Sequence, residues 1–168
     1  MSGAAPAPPA SAPRILAVAS AGGHWVQLSR LAPAWDGCAV TYVTTDPGLR
    51  AGIEEAAAAR GQPRPGFRTV VEASRWQKLR LIRAAAQMGA ILLRTRPHAV
   101  ITTGAAPGFL ALRLARAMGI RTVWVDSIAN AEELSLSGKM AGRHADLWLT
   151  QWPHLARPEG PEYRGAVL

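Results

Sequence analysis

Residues able to do chemistry fall in four short stretches, the first being Ser20-Ala21-Gly22-Gly23-His24. Paired glycines let a backbone approach a ligand closely, and a helix starting there offers free amides and a positive dipole to a phosphate. His24, in or near the first helical turn, could take a proton from a hydroxyl or hydrogen-bond a phosphate. A tight turn with His24 as an incidental cap has the same sequence. The loop lacks the GxGxxG spacing and no Walker lysine follows it, which argues against dinucleotide binding and nucleotide hydrolysis. The second stretch, Thr103-Gly104-Ala105-Ala106-Pro107-Gly108, repeats the small-residue design. On a shared rim the two loops could hold a pyrophosphate, through Ser20, Gly22 and Gly23 on one side and Thr103, Gly104 and Gly108 on the other. A connector selected for close packing remains the alternative. The third stretch is Asp126-Ser127, where the acid could orient a sugar, pair with His24, cap a helix, or make a hydrogen bond within its loop. The fourth, Ser135-Leu136-Ser137-Gly138-Lys139, reads as a polar mobile loop from which Lys139 could reach an anion or simply be solvated. No metal site and no cofactor are expected.

A different chemistry is offered by residues 75–94. Apolar residues at 79, 82, 85, 86 and 89–93 make a stripe on an expected helix, with Lys78, Arg80, Arg83 and Arg94 around it and Trp76 at its start. Between positions 60 and 96 the single acid is Glu72. Such a helix can lie in an anionic membrane interface with Trp76 at head-group level. An ordinary crossover helix with a basic solvent face has the same pattern.

The elements that must position these residues are short apolar runs alternating with longer helical patterns, the signature of βα units and a parallel sheet. Strands are expected over 15–19, 38–43, 67–71, 99–102, 121–125 and 147–150, with an irregular tail after Gln151-Trp152-Pro153. Helices are expected from His24 to Pro33, over 49–60, over 75–94 and over 109–118. These define a doubly wound, mostly parallel, Rossmann-like α/β fold, and ligands of such sheets collect at the carboxyl ends of the strands. Those ends carry Ser20–His24, Thr44–Gly48, Thr102–Gly108, Asp126–Ser127 and Gln151–Trp152, so these polar and small residues are expected to converge on one rim.

The 168 residues suit one domain, with residues 1–13 as an Ala/Pro leader and 14–168 as the folded unit. An apolar fraction of 49% supports one packed core. The net charge of +8 and pI near 11.2 suit an anionic partner. No nucleic-acid fold signature accompanies that charge, so nucleic acid is not the expected partner. The lone Cys38 excludes an internal disulfide and fits a reducing compartment. No apolar stretch reaches the ~18 residues of a spanning helix, so membrane contact is expected to be peripheral.

The later motifs carry a resemblance. Ser127, Leu134-Ser135-Leu136-Ser137-Gly138-Lys139, Ala145-Asp146-Leu147 and Gln151-Trp152-Pro153, preceded in order by the Gly22-Gly23-His24 and Thr103-Gly104 loops, resemble the asparagine-linked glycosylation protein fourteen family. That family includes bacterial PssD/CpsF-type polysaccharide proteins, and the resemblance covers residues 14–168. It implies the N-terminal, acceptor-side half of a glycosyltransferase-B fold of the MurG type. It further implies a separate donor-binding subunit, similar to asparagine-linked glycosylation protein thirteen. Such a pair moves a sugar from a UDP-sugar to a polyprenyl-diphosphate-linked sugar at the cytoplasmic membrane face, with this subunit binding the acceptor and recruiting its partner. By position Gly22, Gly23 and His24 match the loop that handles the acceptor diphosphate and hydroxyl, His24 being the expected base and Asp126 a second catalytic group. Two departures stand out. Eukaryotic members carry a transmembrane anchor where this chain has the leader, and the family more often shows Glu-Ser where Asp126-Ser127 stands. The other readings are a non-catalytic membrane scaffold that activates the partner and a stand-alone nucleotide-sugar binder. The apolar residues Ala166-Val167-Leu168 are the expected partner contact.

Overall fold

The structure is a computed structural model that describes residues 9, 11–73 and 76–167. Most of the expected leader, Arg75 of the basic segment and Leu168 of the tail lie outside the described residues. In chain order the elements are β1 (Arg14–Val18), α1 (Gly23–Arg30), β2 (Ala39–Thr44), α2 (Arg50–Ala59), β3 (Gly66–Thr69) and α3 (Lys78–Thr95). There follow β4 (Ala99–Thr102), α4 (Ala105–Ala117), β5 (Arg121–Val125), α5 (Leu136–Ala141), β6 (Leu147–Thr150) and β7 (Glu162–Tyr163).

All pairings are parallel, in the order β3-β2-β1-β4-β5-β6-β7. Crossover connections in parallel sheets are right-handed, so the direction of travel along the sheet decides which face a helix covers. From β1 to β3 the chain moves one way, and α1 and α2 share a face. From β3 it jumps to β4 and moves the other way, which puts α3, α4 and α5 on the opposite face. The cores record this division. Leu16, Val18, Val43 and Val100 pack with Met88, Ile91 and Leu92 of α3 and Ala111 and Ala115 of α4. Ala17, Ala19, Tyr42 and Phe67 pack with Trp25 and Leu28 of α1 and Ile53 of α2. Consecutive buried residues on β1, as in 16–18, are what a strand covered on both faces requires.

Four differences from the sequence expectations have physical causes. Residues 136–141 form a helix rather than a mobile loop, because the Ser135 side chain caps it by accepting a hydrogen bond from the Gly138 N–H at 2.8 Å. Residues 162–163, inside the expected irregular tail, add an edge strand to β6. Helix α4 begins at Ala105, four residues early, since Pro107 in a first turn forfeits no intrahelical bond. The expected membrane stripe on α3 is divided: Ile91 and Leu92 turn inward with Met88, while Leu79, Ile82 and Leu93 stay outside.

Gly108 therefore sits within the first turn of α4 and not in a ligand loop. A Cβ there would lie well inside contact distance of Thr102 Oγ1. Gly108→Ala is expected to push α4 off β4 and lower stability by about 1–3 kcal/mol, seen as a lower urea midpoint with an unchanged m-value.

Candidate functional site

Strands β1 and β4 are neighbours, yet the helices that leave them go to opposite faces. Such a strand-order reversal opens a crevice at the carboxyl rim. Both expected glycine loops lie there, and a reciprocal pair of hydrogen bonds joins them. The His24 ring nitrogen Nδ1 is 2.8 Å from the Thr103 carbonyl, and the Thr103 hydroxyl donates to the His24 carbonyl at 2.7 Å. A carbonyl only accepts, so Nδ1 carries the proton and Nε2 presents its lone pair. That is the tautomer of a general base. The close approach needs Gly104, whose φ is 124° and whose hypothetical Cβ would stand 2.9 Å from the imidazole Cε1.

Neither α1 nor α4 has a side chain capping its N-terminus. Gly22, at φ 84°, and Gly23 are exposed, and a Cβ on either would meet nothing within 4 Å. Backbone amides at the start of α1 are thus available to an anion beside His24; at α4 the Gly104 N–H is taken by Thr102 Oγ1 at 3.0 Å and Pro107 has none, which leaves those of Ala105 and Ala106. Ser20 stands half-buried at the start of the first loop. The expected contribution of residues 44–48 to the rim is different. Asp46 accepts from Gly48 N–H at 2.8 Å, closing that turn on itself.

Asp126 is not brought to His24. It is buried, and its carboxylate accepts from Trp124 Nε1 at 3.2 Å, Ser135 Oγ at 2.7 Å, Ser135 N–H at 3.1 Å and Asn130 Nδ2 at 3.2 Å. Gly138 is required because a Cβ would collide with the same carboxylate. The acid acts as the clamp of the loop between β5 and α5, which is the loop-bond alternative in its strongest form. Lys139 is also placed away from the glycine loops. It pairs with Glu133 at 2.6 Å, a bond that holds the Glu133 carboxyl below its usual range. The pair lines a separate cavity of about 310 Å³ with Trp148, Leu155 and Arg157. A cavity of about 220 Å³ lies at the opposite, amino edge of the sheet, against Arg14, Thr41 and Thr95.

Two buried side chains take roles that the sequence did not assign them, Gln27 of the first helix and Gln151, which was read only as part of the Gln151-Trp152-Pro153 motif. Gln27 and Gln151 are buried and bonded to each other at 2.8 Å, and Gln27 donates to Ser127 Oγ at 3.0 Å. Gln27 lies one turn after His24 on α1, a spacing that puts both on one side of the helix. A buried amide in a helix pattern was the available signal, but its partners lie 100 or more residues away.

The fold is that of a glycosyltransferase-B N-terminal domain. MurG from Acinetobacter baumannii superposes with a TM-score of 0.69 at 14% identity, over 92% of this chain and 45% of that one. A UDP-GlcNAc 2-epimerase from Methanocaldococcus jannaschii gives 0.60 at 10% identity, over 82% and 39%. The chain therefore spans less than half the length of these structures. The family model described as oligosaccharide biosynthesis protein Alg14 like matches residues 63–167. A UDP-N-acetylglucosamine transferase subunit ALG14 from Eremothecium gossypii is 31% identical over 162 residues, 81% of this chain and 71% of that protein. The chain belongs to the Alg14-like family of oligosaccharide biosynthesis proteins.

Replacing Asp126 by Ala would leave four donor bonds, one buried and three part-buried, without their acceptor. The expected loss is about 2–5 kcal/mol of unfolding free energy, measured by denaturant titration, with amide exchange rising first in residues 127–138.

Proposed function

We propose that this chain is the acceptor-binding, membrane-recruiting subunit of a two-component glycosyltransferase. A separate donor-binding subunit, similar to asparagine-linked glycosylation protein thirteen, holds the UDP-sugar. The sugar passes to a polyprenyl-diphosphate-linked sugar at the cytoplasmic face of the membrane. The observation that carries the reading is the His24–Thr103 clamp, which holds the His24 imidazole, its proton on Nδ1, against the loop that opens α4, where neither α1 nor α4 has a side-chain cap. In this reading the helix-start amides hold the acceptor diphosphate. Nε2 removes the proton of the acceptor hydroxyl as its oxygen attacks the anomeric carbon. The bond to UDP breaks on the far side, and the anomeric configuration inverts. Asp126 contributes by holding the loop that carries Ser127.

Two further features support the partner and the membrane. Parallel sheets are normally covered by helices on both faces. On the α1/α2 face, Val123, Leu147 and Leu149 of β5 and β6 are half-buried and belong to none of the three cores, while Val125 between them is buried. Leu31 and residues 164–167 approach Val125 and Leu149 but leave a cavity of about 170 Å³ between them. A second polypeptide would complete that half-face, and the expected contact at Ala166 and Val167 adjoins it. On α3, Leu79, Ile82 and Leu93 are 83%, 66% and 65% exposed, on the side away from Met88 and Leu92. Lys78, Arg80, Arg83 and Arg94 are exposed beside them, and Trp76 is exposed ahead of the helix. A crossover helix starts at the carboxyl rim, so bilayer contact through Trp76, Leu79 and Ile82 sets the glycine loops beside the lipid surface. Among the described residues no helix is long and apolar enough to cross a membrane.

In the reconstituted pair, His24→Ala is expected to lower kcat by about 10²–10⁴-fold without loss of partner binding. Full activity in that variant would favour the scaffold reading. Flotation with anionic phospholipid vesicles tests the membrane contact. The intact chain should float at low salt and less at high salt, and the Leu79→Asp, Ile82→Asp double variant should remain at the bottom.

A further inference from the structure

The two buried glutamines give the site a direction. Gln27 and Gln151 are 5% and 3% exposed, and backbone groups settle which way each amide faces. Gln27 Oε1 accepts from the Ile128 N–H at 3.1 Å, so its Nε2 is the atom at Ser127. Gln151 Nε2 donates to the Asp126 carbonyl at 2.9 Å and to Gln27 Oε1 at 2.8 Å, while its Oε1 accepts from the Val167 N–H at 2.8 Å. Turning either amide over would set donor against donor or carbonyl against carbonyl. The bonds therefore run one way, from Val167 through Gln151 and Gln27 to Ser127.

That polarity decides what Ser127 can do. A hydroxyl has two lone pairs and one proton. Ser127 Oγ accepts from Gln27 Nε2 at 3.0 Å and from the Ala129 N–H at 3.3 Å, which occupies both lone pairs. Its proton has no acceptor among the described residues. Ser127, 8% exposed, is thus left as a hydrogen-bond donor beside Gln27, on the side of α1 that carries His24.

We infer that Gln27 is a positioning residue: it turns the Ser127 hydroxyl into a donor aimed at an oxygen of the acceptor sugar. The inference rests on the proposed acceptor role of this chain. Ser127 touches the sugar; Gln27 acts through it and contacts no substrate.

The isosteric change Gln27→Glu tests this, because a carboxylate keeps the bonds from Ile128 N–H and Gln151 Nε2 but accepts from Ser127 and draws its proton inward. The purified chain with its donor-binding subunit is assayed at mildly alkaline pH. UDP-N-acetylglucosamine is the donor, and short-chain polyprenyl-diphosphate sugars bearing glucose, galactose or N-acetylglucosamine are the acceptors. Ser127→Ala and Gln27→Glu are each expected to raise the acceptor KM about tenfold, with kcat within about twofold. The double variant should be no worse than either single one, because both remove the same donor. Melting temperatures show whether each variant is folded, and Gln27→Met, which cannot donate, replaces Gln27→Glu if the latter does not fold. A raised KM in Ser127→Ala beside an unchanged KM in the Gln27 variant overturns the inference, and so do KM effects that multiply in the double variant. An unchanged KM in Ser127→Ala in an active pair also overturns it while leaving the subunit assignment intact. Absence of turnover with every acceptor removes the proposed function and this inference together.

Discussion

Strand β1 pairs with β2 on one side and β4 on the other, and the helices that follow β1 and β4 pass to opposite faces of the sheet. A gap between the two loops is unavoidable at that point. The bonds between His24 and Thr103 span it, and they can form because Gly104 lets the imidazole come close. Much of the site's chemistry follows from this one contact. The carbonyl of Thr103 selects the imidazole tautomer. The reach of His24 toward Thr103 leaves Gly22 and Gly23 open beside it. Without the β1–β4 pairing, the glycine stretches would be two unrelated turns.

A second layer holds the crevice from below. Asp126, Gln27 and Gln151 are polar groups in a buried setting, where each unmet bond is costly and each met one restricts geometry. Asp126 draws the start of α5 against β5 through Ser135, and the absence of a side chain at Gly138 makes room for it. The glutamines tie α1, the end of β5, the end of β6 and the tail together with bonds of fixed direction. Trp152 adds a further tie by donating its indole N–H to the Ile128 carbonyl at 2.8 Å. The motif residues from 127 to 152 are thus parts of one scaffold around a rim, and few of them need touch a ligand.

Helix α3 shows how one sequence stripe can serve two surfaces. Its eighteen residues carry enough apolar side chains for a core contact and for an outward patch. Ala84, Met88, Ile91 and Leu92 fill the first role against β1, β4 and α4. Leu79, Ile82 and Leu93 form the second, edged by arginines whose stems can lie along an apolar boundary while their heads stay wet.

The sheet, its parallel sense and the convergence of polar loops at its carboxyl rim were legible in the chain, because apolar runs and the breakers between them are local patterns. The two glycine loops and His24 were legible for the same reason: a strand, a small-residue turn and a helix adjoin in sequence. The resemblance of residues 127–153 was legible as motif order, although not as geometry. Contacts between distant segments were decided by tertiary structure alone. Asp126 could pair with His24 or hold its own loop, and only the packing of α5 chose the second. The outward and inward halves of the α3 stripe could be separated only by where α4 and the sheet lie. Gln27 and Gln151 are 124 positions apart, and nothing within a few residues of either announces the other. Local periodicity encodes which elements form, whereas hydrogen-bond direction at a crevice depends on which elements the fold sets side by side.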